Sequence, residues 1–105
     1  MNSSAAPPLD RLPVFNYVIE PMAPNRIGRR WRWMLFEGDR LLAAGWRLGE
    51  RHALRALVTA AARAAHEAAG LRALRPDRVW PAAPIRSGVT LRLQAGPVSC
   101  VLAPQ

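Results

Sequence analysis

Residues 14 to 20, VFNYVIE, set Phe15, Tyr17 and Ile19 against Val14, Asn16 and Val18, which is the two-residue period of a strand. Pro21 and Pro24 end it. From Arg26 to Leu48 the chain reads RIGRRWRWMLFE, then Gly38-Asp39, then RLLAAGWRL. A Gly-Asp pair between two strand-like runs predicts a hairpin, because glycine takes the positive φ that a primed turn needs at its first central position. That turn sets Glu37 opposite Arg40, Phe36 opposite Leu41, Leu35 opposite Leu42, Trp33 opposite Ala44 and Trp31 opposite Trp46. Facing residues share a side of a sheet. Trp31, Trp33, Leu35, Leu42, Ala44, Trp46 and Leu48 are therefore expected on a core face, and Arg30, Arg32, Met34, Phe36, Leu41, Ala43 and Arg47 on the other. A bulge would exchange the faces beyond it.

The period changes at Glu50. As far as Ala69 there is neither Gly nor Pro, and Leu54, Leu57, Val58, Ala61, Ala65 and Ala68 recur at helical spacing. Gly49 stands near the start, Glu50 in the first turn, and Gly70 at the stop. The alanine-rich side of this helix fits closely against large tryptophan side chains. His52, Arg55, Thr59, Arg63 and His66 form the stripe expected to face water.

Pro76 to Pro84 is a proline-studded connector with a short strand expected around Val79-Trp80 and Trp80 packed on the core. A second hairpin follows, with Val89, Leu91 and Leu93 alternating with polar residues, a turn around Ala95-Gly96, and Val98, Cys100 and Leu102 in the return strand. The sum is an α+β fold: an antiparallel sheet of about five strands, two hairpins plus an N-terminal strand, with one long Ala-rich helix packed on one face. Residues 1–13 lack any period to bury and are expected to form a flexible N-terminal arm; 14–105 form a single domain.

In outline, the order of strand, hairpin and alanine-rich helix over residues 14 to 70 resembles the three-stranded sheet plus helix of ethylene-response-type and integrase arm-type DNA-binding domains. The likeness lies in pattern and not in a motif, so it implies a fold and carries no function by itself. The second hairpin has no counterpart in it.

Charge alters this picture. All fifteen basic residues are arginine, and the formal net charge is +8. Choosing arginine over lysine, amid much alanine and proline, is expected of a GC-rich bacterial genome. Codon bias does not set the sign of the net charge, however, and the excess favours anionic partners. Between residues 26 and 51, seven arginines stand against Glu37, Asp39 and Glu50, an excess of four that is half of the whole imbalance. A guanidinium grips phosphate with two hydrogen bonds and stacks on bases. The expected contacts are Arg30, Arg32 and Arg47 on the open sheet face, with Arg26, Arg29, Arg40 and Arg51 at its rim and Phe36 beside them. Alternating arginine on a strand is also how the solvated side of a sheet commonly reads. The partner classes are thus DNA or RNA, or alternatively a protein partner or a second copy of the chain.

Other chemistry finds no support. His52 and His66 lie fourteen residues apart, roughly 21 Å along a helix, and cannot share an ion. Cys100 is alone, so zinc spacings and an intrachain disulfide are both excluded. Ser87, Ser99, Thr59 and Cys100 have no base at a diagnostic spacing, and there is no phosphate-cradling glycine run. No catalytic residue, metal or cofactor is expected. The first residues, MNSSAAPPLDRLP, lack the basic and apolar regions of a signal peptide, and no run is suited to spanning a bilayer. The expectation is a cytoplasmic, non-enzymatic protein without membrane contact.

Overall fold

The structure, a computed structural model, describes residues 12–26, 28–71 and 86–105, together with the backbone of 79–81. The arm as far as Arg11 and the side chain of Trp80 lie outside the described residues. The fold is α+β, with elements β1 (Val14–Pro21), β2 (Arg30–Glu37), β3 (Arg40–Leu48), α1 (Glu50–Ala68), β4 (Val79–Pro81), β5 (Leu91–Ala95) and β6 (Val98–Pro104). Five strands of useful length and the three-residue β4 make one sheet in the order β3-β2-β1-β6-β5-β4, with α1 laid against it most heavily over β2 and β3.

The sheet is mixed, which corrects the antiparallel expectation. β1 and β6 run parallel, from Val14 beside Val101 to Tyr17 beside Pro104. Antiparallel neighbours need only a tight turn, whereas parallel ones need a long crossover. Here the chain passes from β3 through α1 to the far half of the sheet and returns toward β1 along β6. Order also begins slightly earlier than the alternation suggests. Leu12 is buried, and the carbonyl of Pro13 accepts a 2.8 Å hydrogen bond from the amide of Val101.

The Gly38-Asp39 turn forms as expected, with Gly38 at φ 60° and with Glu37 opposite Arg40 and Phe36 opposite Leu41. The register then shifts. Leu35 pairs with Ala43 and not with Leu42, so Leu42 is the extra residue of a β-bulge. Both Leu42 and Ala43 pack on the core side. Beyond the bulge Trp33 faces Gly45, Arg32 faces Trp46 and Trp31 faces Arg47. Gly45 is required here by space. A Cβ built on it would stand 3.0 Å from Trp33 Nε1 and 3.1 Å from two further ring atoms, so the indole lies directly across the glycine.

The core sits between the sheet and α1. Phe15, Tyr17, Trp33, Leu35, Leu91, Leu93, Cys100 and Leu102 meet Ala53, Leu57, Val58, Ala61 and Ala65 of the helix. Small residues on α1 let it approach the large ones of the sheet. The helix stops as its sequence implies: the amide of Gly70 bonds the carbonyl of Glu67, and that of Leu71 the carbonyl of His66. The expected water-facing stripe departs at His66. Its side chain is only 6% exposed, with Nε2 2.6 Å from the carbonyl oxygen of Ala95 under the β5–β6 turn.

Buried Tyr17 fastens the strand-poor segment ahead of β5. Its hydroxyl donates to the carbonyl of Val89 at 2.6 Å and accepts from the amide of the same residue at 3.0 Å. Tyr17→Phe keeps the ring but leaves both groups unpaired. We expect it to cost about 1–3 kcal/mol in chemical denaturation, with amide exchange at Val89 accelerated.

Candidate nucleic-acid interface

With α1 on one face, the opposite face of the sheet is uncovered by any element among the described residues. Alternation places Arg30, Arg32, Met34 and Phe36 of β2 there, beside Val14, Asn16, Val18 and Glu20 of β1. Met34 and Phe36 are half-buried by their neighbours. The bulge brings in three residues that were expected in the core: Ala44 is exposed opposite Met34, Trp46 is 43% exposed and Leu48 is 44% exposed. It removes two that were expected on this face, since Ala43 packs on the core and Arg47 now lies on the helix side of β3, opposite half-buried Trp31. The arginines of the first hairpin are thus split between two sides.

The guanidinium of Arg30 stands 5.5 Å from the centre of the Trp46 ring. A cation over the negative face of an indole is favourable, and it leaves the rest of the guanidinium edge open to an acceptor. The Nε of Arg30 is buried and has no hydrogen-bond partner among the described residues. Arg32 instead pairs with the Glu20 carboxylate across the β1–β2 ladder. Arg40 pairs with Glu37 at 2.8 Å at the turn end of the hairpin. Both pairs are exposed and contribute little stability, but they cancel local charge. Arg40 is also eight residues from Leu48, roughly 26 Å along the strand, so it cannot join the others.

At the far end the picture improves. The amide of Gly49 bonds the carbonyl of Arg29, which ties the start of α1 to the start of β2. Arg26 and Arg29 are exposed there, and Arg51 is exposed in the first turn of α1. Arg26, Arg29, Arg30 and Arg51 therefore gather around the Trp46–Leu48 end of the sheet. Arg92, exposed on β5, lies further across it. The exposed aromatic of this surface is Trp46, and sequence reasoning missed it because it placed β3 beyond the bulge one register out.

Two of the nucleophile candidates, Thr59 and Ser87, have structural partners. Thr59 Oγ1 donates to the carbonyl of Arg55, and Ser87 Oγ to the Glu50 carboxylate. Cys100 is buried, and desolvation pushes its thiol up to about 11. Among the described residues no three of His, Cys, Asp and Glu are grouped to hold a metal ion, and no helix is long and apolar enough to cross a membrane. No family model matches the chain, and neither a curated protein nor a solved structure is significantly similar to it.

Proposed function

We propose that this chain is a non-enzymatic cytoplasmic protein that takes single-stranded nucleic acid on the open face of its sheet. The observation that carries this reading is the exposed Trp46 with the Arg30 guanidinium over its ring. Unstacked bases dock on exposed aromatics of open sheets, and guanidinium planes extend such a platform. Arg26, Arg29 and Arg51 supply backbone contacts at the rim, and the net charge of +8 supplies long-range attraction. A flat face with one exposed indole suits splayed bases better than a duplex groove, so single strands of DNA or RNA are the favoured form.

Trp46→Ala is expected to weaken binding of a short oligonucleotide by about 1–3 kcal/mol, read by fluorescence anisotropy. Because the ring is exposed, the melting temperature should hardly change. Arg30→Ala should lower the magnitude of the log-log salt slope by about 0.7, the contribution of one phosphate contact on a single strand. Failure of DNA and RNA oligonucleotides alike to bind at low salt would remove the proposal.

A second reading is favoured by the apolar middle of the same face, where Val18, Met34 and Phe36 adjoin exposed Leu41 and Leu48. Such a face suits a second copy of the chain. Self-association in sedimentation that persists at high salt and is lost on Phe36→Asp would select it.

A further inference from the structure

On the helix side, a groove that shares only Trp46 and Leu48 of the edge strand with the open face combines three features that the nucleic-acid reading does not use. β3 is an edge strand, so one side of its backbone is without a partner strand among the described residues, with the Trp46 carbonyl accepting from Arg47 Nη1 at 2.8 Å. Between that edge and α1 runs an open groove of about 960 Å³, and its lining among the described residues includes Arg47, His52, Arg55 and Arg63 but no carboxylate. In the groove floor, where Trp33 crosses Gly45, the indole Nε1–H is buried and has no acceptor among the described residues, in a side chain only 7% exposed. A buried donor left unpaired is costly, so a ligand whose acceptor reaches the indole by a small shift of the ring recovers part of that cost.

We propose that this groove binds an extended acidic segment of a partner protein, added to β3 as a further strand. Strand addition draws affinity from main-chain bonds to a free edge and specificity from the pocket beside it, here the cleft between edge and helix. The spacing fits this occupant. One end of the groove holds Leu48 with His52, and the adjoining depression, where Glu37 and Glu67 mark the limit of the acid-free stretch, holds Leu42 and Ala43 with Arg63 and Ala64, so strand and helix run alongside one another. Arg55 and Arg63 are roughly 12 Å apart along the helix axis at a rise of 1.5 Å per residue. Residues i and i+4 of a strand lie on one face about 13 Å apart. Carboxylates at those two positions meet the two guanidiniums, and the intervening side chain on the same face reaches Trp33. The acidic residues come from a partner because the chain itself is strongly basic.

The test is an amide and indole NMR titration of the full chain with ten-residue β-prone peptides bearing Glu at i and i+4, beside counterparts with Gln or Lys there. The Glu peptide should shift the Trp33 indole proton downfield and protect amides of β3 from exchange, while open-face amides at Met34 and Arg92 stay in place. The Gln peptide should bind about tenfold more weakly and the Lys peptide not at all. The double variant R55E/R63E changes only exposed helix positions, should keep the native circular dichroism spectrum, and should lose at least about tenfold in affinity for the Glu peptide. Trp33→Phe should weaken it too. Equal binding of all three peptides, shifts confined to the open face, undiminished affinity in R55E/R63E, or displacement of the peptide from the groove by an oligothymidylate would overturn the proposal. Absence of oligonucleotide binding would leave it untouched, since it does not depend on the open face.

Discussion

Leu35→Ala should lower the melting temperature by roughly 10–20 °C, while Met34→Ala, one residue away, should leave it nearly unchanged. Leu35 is fully buried in the middle of β2, against the helix side of the core. Truncating a leucine in such a place loses its transfer free energy and leaves a cavity, together costing about 2–5 kcal/mol. For a domain of this size each kcal/mol is worth about 4 °C or more. Met34 points the other way, to the open face, where it is only half-buried. The same logic extends to β3, where Trp46→Ala should cost much less than Leu35→Ala although it removes the larger side chain. Thermal unfolding of the three variants by circular dichroism checks the assignment of faces. Equal losses for Leu35→Ala and Met34→Ala would mean that the sheet is covered on both sides.

The exposure of Trp46 depends on a bulge which the residues do not announce. The stretch Leu41-Leu42-Ala43-Ala44 is apolar throughout, so either register buries aliphatic surface, and no polar side chain pins the strand before Trp46-Arg47. A reading that follows strict alternation from the Gly38-Asp39 turn sends Trp46 inward and Arg47 outward, and both are reversed. The missed sign was Gly45. A glycine inside a strand often marks a bulge or a close approach, and here Trp33 lies across it. Where the pattern was unambiguous it was sufficient: α1 spans Glu50–Ala68, and β5 and β6 bury Leu91, Leu93, Cys100 and Leu102 on alternate positions. The parallel pairing of β1 with β6 was illegible for another reason. Each hairpin carries its own register in its turn, but the join between hairpins depends on where a long crossover delivers the chain. The candidate interface divides along the same line. Arg30 and Arg32 were placed correctly from β2 alone, while Arg47 and Trp46 depended on β3 and were exchanged. His66, at the end of the helix stripe, is covered by a turn that belongs to the second hairpin, and helical periodicity contains nothing about that neighbour.

Alkaline unfolding should single out Cys100. Its thiol is raised from 9.0 to about 11 by desolvation in the core, so the folded chain holds this proton where the unfolded chain gives it up. Below pH 9 both states keep the proton and the stabilisation is complete. Between 9 and 11 the unfolded state binds fewer protons, and stability falls as the pH rises. Two pKa units correspond to about 3 kcal/mol at 1.36 kcal/mol each, reached as the pH approaches the folded value. Urea midpoints for the native chain and for Cys100→Ala, measured from pH 8 to 11, isolate the effect, because tyrosine and arginine ionisation are common to both proteins. The variant should start less stable, having lost buried volume, and should decline less steeply, so that the two curves converge at the alkaline end. Parallel curves would show that the thiol is hydrated in the folded state, and rapid alkylation of Cys100 by iodoacetamide under native conditions at pH 8 would make the same point by a separate route.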